Sequence, residues 1–181
     1  MTTPLRILLI SGSTRDSSTN TAALRTIAAE APADLTATLY AGLVELPQFV
    51  PGLEPEPANV EALHKQLADS DAVLICTPEY AGMIPGSLKN LLEWTVGTGD
   101  LMDKPVAWIN VAYPGRGDAA VETLSTVLGY VSADIVEVAC GRITVLREQV
   151  GADGLVEDDQ ARQRLSLVLP AIAAHVREKA A

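Results

Sequence analysis

Residues 5–20, LRILLISGSTRDSSTN, decide the fold of this chain. Leu5 to Ile10 is a short, almost unbroken apolar segment, which is typical of a strand buried on both faces of a parallel sheet. The segment enters a turn rich in hydroxyl groups, and Thr19 or Asn20 can cap a helix that continues to about Glu30. The stretch therefore predicts the strand, the turn and the helix of a βαβ unit.

Strands and helices continue to alternate along the rest of the chain. The pattern predicts further strands at residues 35–40, 71–76, 105–112 and 134–139, and helices at 59–69, 86–94, 119–130 and 158–179. Residues 41–57 lack a clear period and predict a long irregular loop. The fold class is α/β, with a doubly wound five-stranded parallel sheet in a three-layer α/β/α arrangement. No linker divides the chain, so residues 1–181 are predicted to form a single domain.

Composition excludes several function classes. The net charge of −10 argues against a partner of nucleic acid, because such binding needs clustered basic side chains. Only Cys76 and Cys140 are present, which favours a reducing compartment over a disulfide framework. No apolar run reaches the roughly 20 residues that span a bilayer, and no signal peptide is expected. His64 and His175 have no second ligand at metal spacing. We expect a cytoplasmic protein without a membrane segment or a metal.

Ligands of open parallel sheets bind beyond the carboxyl ends of the strands, near the point where the strand order reverses. The loop after the first strand, residues 11–20, combines free N–H groups, hydroxyl groups and Arg15, which favours an anion. Neither Gly-Lys-Ser/Thr nor Gly-x-Gly-x-x-Gly occurs there, so a mononucleotide phosphate is favoured over a pyrophosphate. The alternative is a capped turn in which these side chains only stabilise the backbone.

Two further loops complete the predicted site. Residues 77–86, TPEYAGMIPG, place rigid prolines, flexible glycines and Tyr80 at the end of the third strand, which suits a flat ring. The alternatives are that Tyr80 is an ordinary surface aromatic and that Glu79 is a solvated carboxylate. Residues 113–117, YPGRG, allow close backbone approach to a ligand. Arg116 is either a contact for an anionic nicotinamide dinucleotide or a solvated charge.

These loops resemble those of the NADPH-dependent FMN reductase family, which has a flavodoxin-like fold and includes quinone, chromate and azo-dye reductases. Residues 12–20, GSTRDSSTN, are similar to its phosphate loop Gly-Ser-x-Arg-x-x-Ser-x-Asn, and residues 77–90, TPEYAGMIPGSLKN, to its second signature. The resemblance covers roughly residues 5–140. Relatives often have Asn where Ala81 stands and Ser where Met83 stands, which shifts the expected contacts toward backbone atoms.

The resemblance implies a set of cofactor-binding residues. The FMN phosphate is expected at Ser13, Arg15, Ser18, Thr19 and Asn20. The ribityl chain and the isoalloxazine ring are expected at Pro78, Glu79, Tyr80, Ala81 and Gly82, and Gly115 is predicted to approach the ligand from the third loop. No side chain is nominated as a catalytic group.

The implied activity is that of an NAD(P)H-dependent FMN oxidoreductase. NADPH or NADH passes a hydride to FMN N5 and leaves, and a quinone-like or other small acceptor then takes the electrons in a ping-pong cycle. Two alternatives stay open: an FMN reductase that supplies reduced flavin to a partner monooxygenase, and a non-enzymatic flavodoxin-type electron carrier with an acidic docking surface. Relatives are commonly dimers or tetramers, and a homodimer or homotetramer is expected here.

Overall fold

The computed structural model of the chain describes residues 4–180, which form six strands and six α-helices. The strands are β1 (Leu5–Ser11), β2 (Leu35–Leu39), β3 (Ala72–Cys76), β4 (Pro105–Asn110), β5 (Asp134–Ile135) and β6 (Gly141–Arg142). The helices are α1 (Thr19–Ala29), α2 (Ala58–Ala68), α3 (Gly86–Thr98), α4 (Asp118–Tyr130), α5 (Asp159–Leu165) and α6 (Val168–Lys179). Two 3₁₀ turns, Glu137–Ala139 and Arg147–Gln149, lie between β5 and α5.

All strand pairs of the sheet are parallel. The strand order is β2-β1-β3-β4-β5, and β6 also pairs with β4. Leu9 lies in the middle of the sheet, opposite Leu39 on one side and Leu74 on the other. The chain proceeds outward from β1 to β2 and then crosses back to β3, so the order reverses between β1 and β3. This order confirms the predicted doubly wound, flavodoxin-like sheet.

Helices cover both faces of the sheet, which confirms the three-layer arrangement. Ile7 and Leu9 pack with α1, α5 and α6 on one face. Leu8 and Ile10 pack with α2, α3 and α4 on the other. Successive side chains of a strand point to opposite faces, so a strand covered on both faces must be apolar at consecutive positions. The unbroken apolar run of β1 therefore follows from its central position.

The sequence predicted one continuous fifth strand over residues 134–139, and this prediction was wrong. Pairing with β4 stops after Ile135, the chain turns through Glu137–Ala139, and it returns to β4 as β6. The Val136 N–H still donates to Val106 O at 2.9 Å, and the Ala139 N–H donates back to Val136 O at 2.9 Å. The turn keeps Val136 and Ala139 in the core and exposes Val138, so two apolar contacts are kept at the expense of strand pairing.

The prediction of a single terminal helix over residues 158–179 was also wrong. It is divided into α5 and α6, with Ser166 and Leu167 between them. Pro170 in the first turn of α6 has no N–H and would clash with the Ser166 carbonyl in a continuous helix. The helix after Pro85 is longer than predicted, because α3 continues to Thr98 and ends at Gly99, which has φ 70°. Among residues 4–180, no helix is long and apolar enough to cross a membrane.

Candidate functional site

The loops after β1 and β3 pack against each other at the carboxyl end of the sheet. The Gly12 N–H donates to the Cys76 carbonyl at 2.8 Å. A Cβ atom on Gly12 would overlap the side chain of Thr77, so only glycine permits this approach. The point at which the strand order reverses therefore carries the first two predicted loops side by side.

The first loop is organised by its own hydroxyl groups. Ser11 Oγ and Thr21 Oγ1 share a hydrogen bond of 2.8 Å, and Ser11 Oγ also accepts from the Ser13 N–H at 3.3 Å. Ser13 Oγ accepts from the Arg15 N–H at 3.3 Å, while Arg15 itself is exposed. The loop thus turns toward the start of α1, where helical N–H groups without intrahelical partners favour an anion.

Ser18 is the most informative residue of this loop. It stands before α1 in an extended conformation and makes no side-chain capping bond. Its side chain is 3% exposed, and within residues 4–180 its Oγ has no hydrogen-bond partner. A buried hydroxyl without a partner costs about 1–3 kcal/mol. A phosphate group at the start of α1 would supply the missing partner, so the loop fits a mononucleotide phosphate.

Asn20 is fixed from the neighbouring strand. The Cys76 Sγ–H donates to Asn20 Oδ1 at 3.2 Å, and both residues are buried. Burial raises the pKa of the Cys76 thiol, which keeps it protonated as a hydrogen-bond donor. This bond occupies the acceptor of the Asn20 amide and leaves its NH₂ group for a ligand. The half-buried Thr19 lies between Ser18 and Asn20.

The second loop has a tight turn at its tip. The Tyr80 N–H donates to Met83 O at 2.9 Å, and the Met83 N–H donates to Tyr80 O at 3.1 Å. Ala81 and Gly82, between them, have φ 51° and φ 75°, the combination that a type I′ turn requires. Asn tolerates this left-handed region better than Ala does. An Asn at position 81 would therefore suit this backbone conformation better than the Ala that this chain has.

The turn leaves a partly apolar surface open to solvent. Tyr80 is 48% exposed, Glu79 and Met83 are exposed, and Pro78 is half-buried below them. After the turn, the Ile84 N–H donates to Thr123 Oγ1 of α4 at 3.3 Å, which anchors the loop. The predicted ring-binding residues therefore form an exposed surface on a fixed backbone.

The third loop is closed by a residue that the sequence reasoning missed. Asn110, at the end of β4, is buried; its Nδ2 donates to Gly117 O at 2.9 Å, and its Oδ1 accepts from the Ala112 N–H at 2.8 Å. Gly117 has φ 81°, and a Cβ there would overlap the Asn110 amide. Gly115, with φ 78°, is exposed at the tip beside Arg116. The sequence signal that could have revealed Asn110 is that it is a polar residue at the end of an otherwise apolar strand.

Both histidines lie beside carboxylates, and neither cysteine forms a disulfide. His64 Nδ1 lies 2.7 Å from Asp100 Oδ2, and its Nε2 lies 3.2 Å from Glu56 Oε1. His175 Nε2 lies 2.9 Å from Asp134 Oδ2. In the described part of the chain, no group of three or more His, Cys, Asp or Glu side chains could hold a metal ion. Both cysteines are free thiols, and burial raises the pKa of Cys140 to about 11.

The sheet order and the two adjoining loops define a flavodoxin-like protein with a site for a mononucleotide at its carboxyl edge. The family model described as NADPH-dependent FMN reductase matches residues 5–142, and the chain belongs to this family. The name of the family agrees with the predicted enzyme class of oxidoreductase and with the predicted cofactors, FMN with NADPH or NADH.

Similarity to individual proteins extends over different lengths. A quinone reductase of Escherichia coli (strain K12) is 34% identical over 110 residues, which cover 59% of this chain and only 57% of that protein. A 2-hydroxy-1,4-benzoquinone reductase of Burkholderia sp is 28% identical over 180 residues, covering 97% and 98%. The solved structure of the flavoenzyme NAD(P)H:(acceptor) oxidoreductase FerB from Paracoccus denitrificans superposes with a TM-score of 0.84 at 26% identity, covering 96% and 98%.

Proposed function

We propose that this protein is an NAD(P)H-dependent FMN oxidoreductase that passes electrons to quinone-like or other small acceptors. The observation that carries the proposal is the buried Ser18 hydroxyl at the start of α1, which has no hydrogen-bond partner. The loop that contains Ser18 packs against the loop that contains the exposed turn at Tyr80–Met83. FMN, when bound, would supply the redox chemistry, because its ring can accept a hydride from NAD(P)H and donate electrons to the acceptor, as a ping-pong cycle requires.

The first loop holds the phosphate end in this proposal. Ser13 and Thr19 contribute backbone N–H or hydroxyl groups, Ser18 contributes its free hydroxyl, and Asn20 contributes its amide NH₂. Arg15, exposed at the mouth, adds a positive charge in a chain of net charge −10. The Cys76 thiol orients Asn20 through its hydrogen bond to Oδ1, and burial raises its pKa and so favours the protonated donor.

The second and third loops hold the ring end. Pro78 and Glu79 fix the backbone beneath the turn, and Ala81 and Gly82 present main-chain groups from its tip. Tyr80 offers an aromatic face, and Gly115 permits close approach from the third loop. The exposed surface admits NAD(P)H and a small acceptor in succession, and none of these side chains is assigned proton transfer.

The names of two relatives support a quinone-like acceptor. The relative from Burkholderia sp, similar over almost its whole length, is named for a benzoquinone substrate, and the E. coli relative is named a quinone reductase. A flat quinone suits an open site beside Tyr80. The net charge of −10 favours one second candidate, an electron carrier that docks a redox partner through its acidic surface.

We further propose a homodimer or homotetramer, with residues 1–181 of each chain as one domain in the cytoplasm. α3 and α4 expose Val96 (63%) and Tyr130 (88%) beside a groove of about 250 Å³ that Leu92 and Val127 also line. Such exposed apolar surface favours association. The free thiols of Cys76 and Cys140 suit a reducing compartment.

An absorbance spectrum of the purified protein, followed by titration with FMN, tests the proposal first. We expect flavin absorbance or saturable FMN binding, and steady-state NADPH or NADH oxidation when a benzoquinone is added. A colourless protein that binds no added FMN overturns it. Flavin binding without turnover favours the carrier, and loss of flavin during gel filtration favours a supplier of reduced FMN.

A further inference from the structure

A cavity of about 260 Å³ adjoins the phosphate loop on the side of α1. Ser17, Ser18 and Thr19 form the wall that it shares with the loop, and the segment from Gly151 to Gly154 forms the opposite wall. The volume holds several water molecules or a compact polar group. Ser18 and Thr19 also serve the phosphate end proposed above, whereas Arg25, Arg147 and the segment from Gly151 to Gly154 have no role in it.

Two arginines from distant parts of the chain line the cavity. Arg25 follows Ser18 by seven residues along α1, two helical turns, and so lies on the same side of the helix. Arg147 belongs to the 3₁₀ turn after β6. The arginine ion pairs within residues 4–180 involve Arg142, Arg162 and Arg177, so these two guanidinium groups have no carboxylate partner. Asp16 contributes the one carboxylate among the described lining residues.

The opposite wall lies close to Arg25. Gly154 has φ 78°, and a Cβ atom on it would come within 3.1 Å of Arg25 Nη1. The positive φ favours glycine at this position, and the distance places Arg25 Nη1 directly beside the wall. The wall is otherwise formed by the short turn in which the Gly154 N–H donates to Gly151 O at 3.0 Å.

Guanidinium groups, helix N-terminal N–H groups and serine hydroxyls all bind phosphate, and arginine can bind it through two parallel hydrogen bonds. Arg25 and Arg147 are both exposed, so their guanidinium groups are accessible to such a ligand. We infer that this cavity is a second phosphate subsite beside the one proposed for FMN, with Arg25 and Arg147 as its cationic groups. The inference rests on the proposed flavin function, because that function places the FMN phosphate at Ser18 and Thr19, which also line this cavity. Two sources share the chemistry: the second phosphate of a flavin dinucleotide, and free inorganic phosphate.

The test uses the full-length apoprotein, the variants Arg25→Gln and Arg147→Gln, and Arg177→Gln as a matched surface control. FMN, FAD and inorganic phosphate are titrated separately, with ionic strength held constant by chloride. If a dinucleotide is the ligand, each cavity variant weakens FAD binding about tenfold, the loss of one charge-assisted contact, and changes FMN binding less than twofold. Arg177→Gln changes neither.

If inorganic phosphate is the ligand, added phosphate raises the Tm of the FMN-saturated protein, and both cavity variants abolish that rise while FMN and FAD affinities stay equal. Equal weakening of FMN and FAD would place both arginines at the FMN phosphate and overturn the inference. It is also overturned if the cavity variants alter neither FAD affinity nor the response to phosphate. If the wild type does not bind FMN, the proposed function is wrong. The phosphate titration of the same apoprotein then tests whether the cavity binds phosphate.

Discussion

Ala81 occupies a backbone conformation that alanine tolerates poorly. Its φ of 51° is required by the tight turn between Tyr80 and Met83. A left-handed conformation costs a residue with a Cβ about 1–2 kcal/mol, and less for Asn, whose side chain forms local hydrogen bonds. We expect Ala81→Asn to raise the free energy of unfolding by about 0.5–1 kcal/mol. Urea unfolding checks this, with the exposed Ala41→Asn as a control that brings no gain; a loss of stability in Ala81→Asn would contradict the turn geometry.

Ser18 provides a second prediction for a single side chain. A serine that caps a helix loses about 1 kcal/mol of stability when it is replaced by alanine, but Ser18 Oγ makes no such bond. Ser18→Ala should therefore leave the apoprotein equally stable or slightly more stable, and weaken FMN binding about tenfold. Urea unfolding and fluorescence titration measure the two effects.

Asp158 gives the matched control for Ser18, because its Oδ1 accepts from the Ala161 N–H at 2.8 Å and caps α5. Asp158→Ala should cost about 1 kcal/mol of stability without changing FMN affinity. If Ser18→Ala shows that same pattern, Ser18 is a structural cap and its assignment to the phosphate is wrong.

At the scale of elements, the third loop depends on the strand that precedes it. Asn110 holds both ends of the segment from Ala112 to Gly117. Asn110→Ala leaves the half-buried Ala112 N–H and the buried Gly117 carbonyl without a partner, so we expect a loss of about 1–3 kcal/mol in the free energy of unfolding. Chemical denaturation gives the value, and hydrogen exchange should show faster opening of residues 112–117 than of β1. Uniform exchange across the molecule would mean that Asn110 does not control this loop.

The central strands could be predicted from the sequence because their apolar runs have a single structural explanation. β1 and β3 are apolar at consecutive positions, and only strands covered on both faces need that. The sheet order then located the first two loops of the site. The sequence did not reveal the turn at Glu137–Ala139, since burial of Val136 and Ala139 competes with strand pairing only in three dimensions. Pro170 marks the break between α5 and α6 in the sequence. The apolar pattern continues across it, however, and therefore predicted one helix.

The cavity beside α1 shows why part of the candidate site escapes sequence reasoning. Arg25 belongs to the first helix and Arg147 to the segment after β6, so more than a hundred positions of sequence separate them. No local motif joins two such residues. Their proximity follows from the packing of α1 beneath the segment that leads from β6 to α5.

For the whole molecule, acid should weaken the attachment of the terminal helix. Hydrogen bonds from His175 and Lys179 of α6 lower the pKa of Asp134 in β5. A carboxyl whose pKa is lowered on folding adds stability above its unfolded value of about 3.9 and loses it as pH falls toward the folded value. Asp134→Asn should therefore lower the urea midpoint at pH 7 and lower it by a smaller amount at pH 3. A deficit that is the same at both pH values would show that its charge is irrelevant.

Association of whole chains is the last property that the surface predicts. Tyr130 and Val96 stand exposed on neighbouring helices of one face, and covering them would remove apolar surface from water. Tyr130→Lys introduces a charge into that surface, so we expect sedimentation equilibrium to show a smaller assembly than the wild type forms, with the circular dichroism spectrum unchanged. Val138→Lys, an equally exposed apolar position in the turn after β5, should leave the assembly intact. A monomeric wild type, or an assembly that only Val138→Lys disrupts, would reject the face formed by α3 and α4.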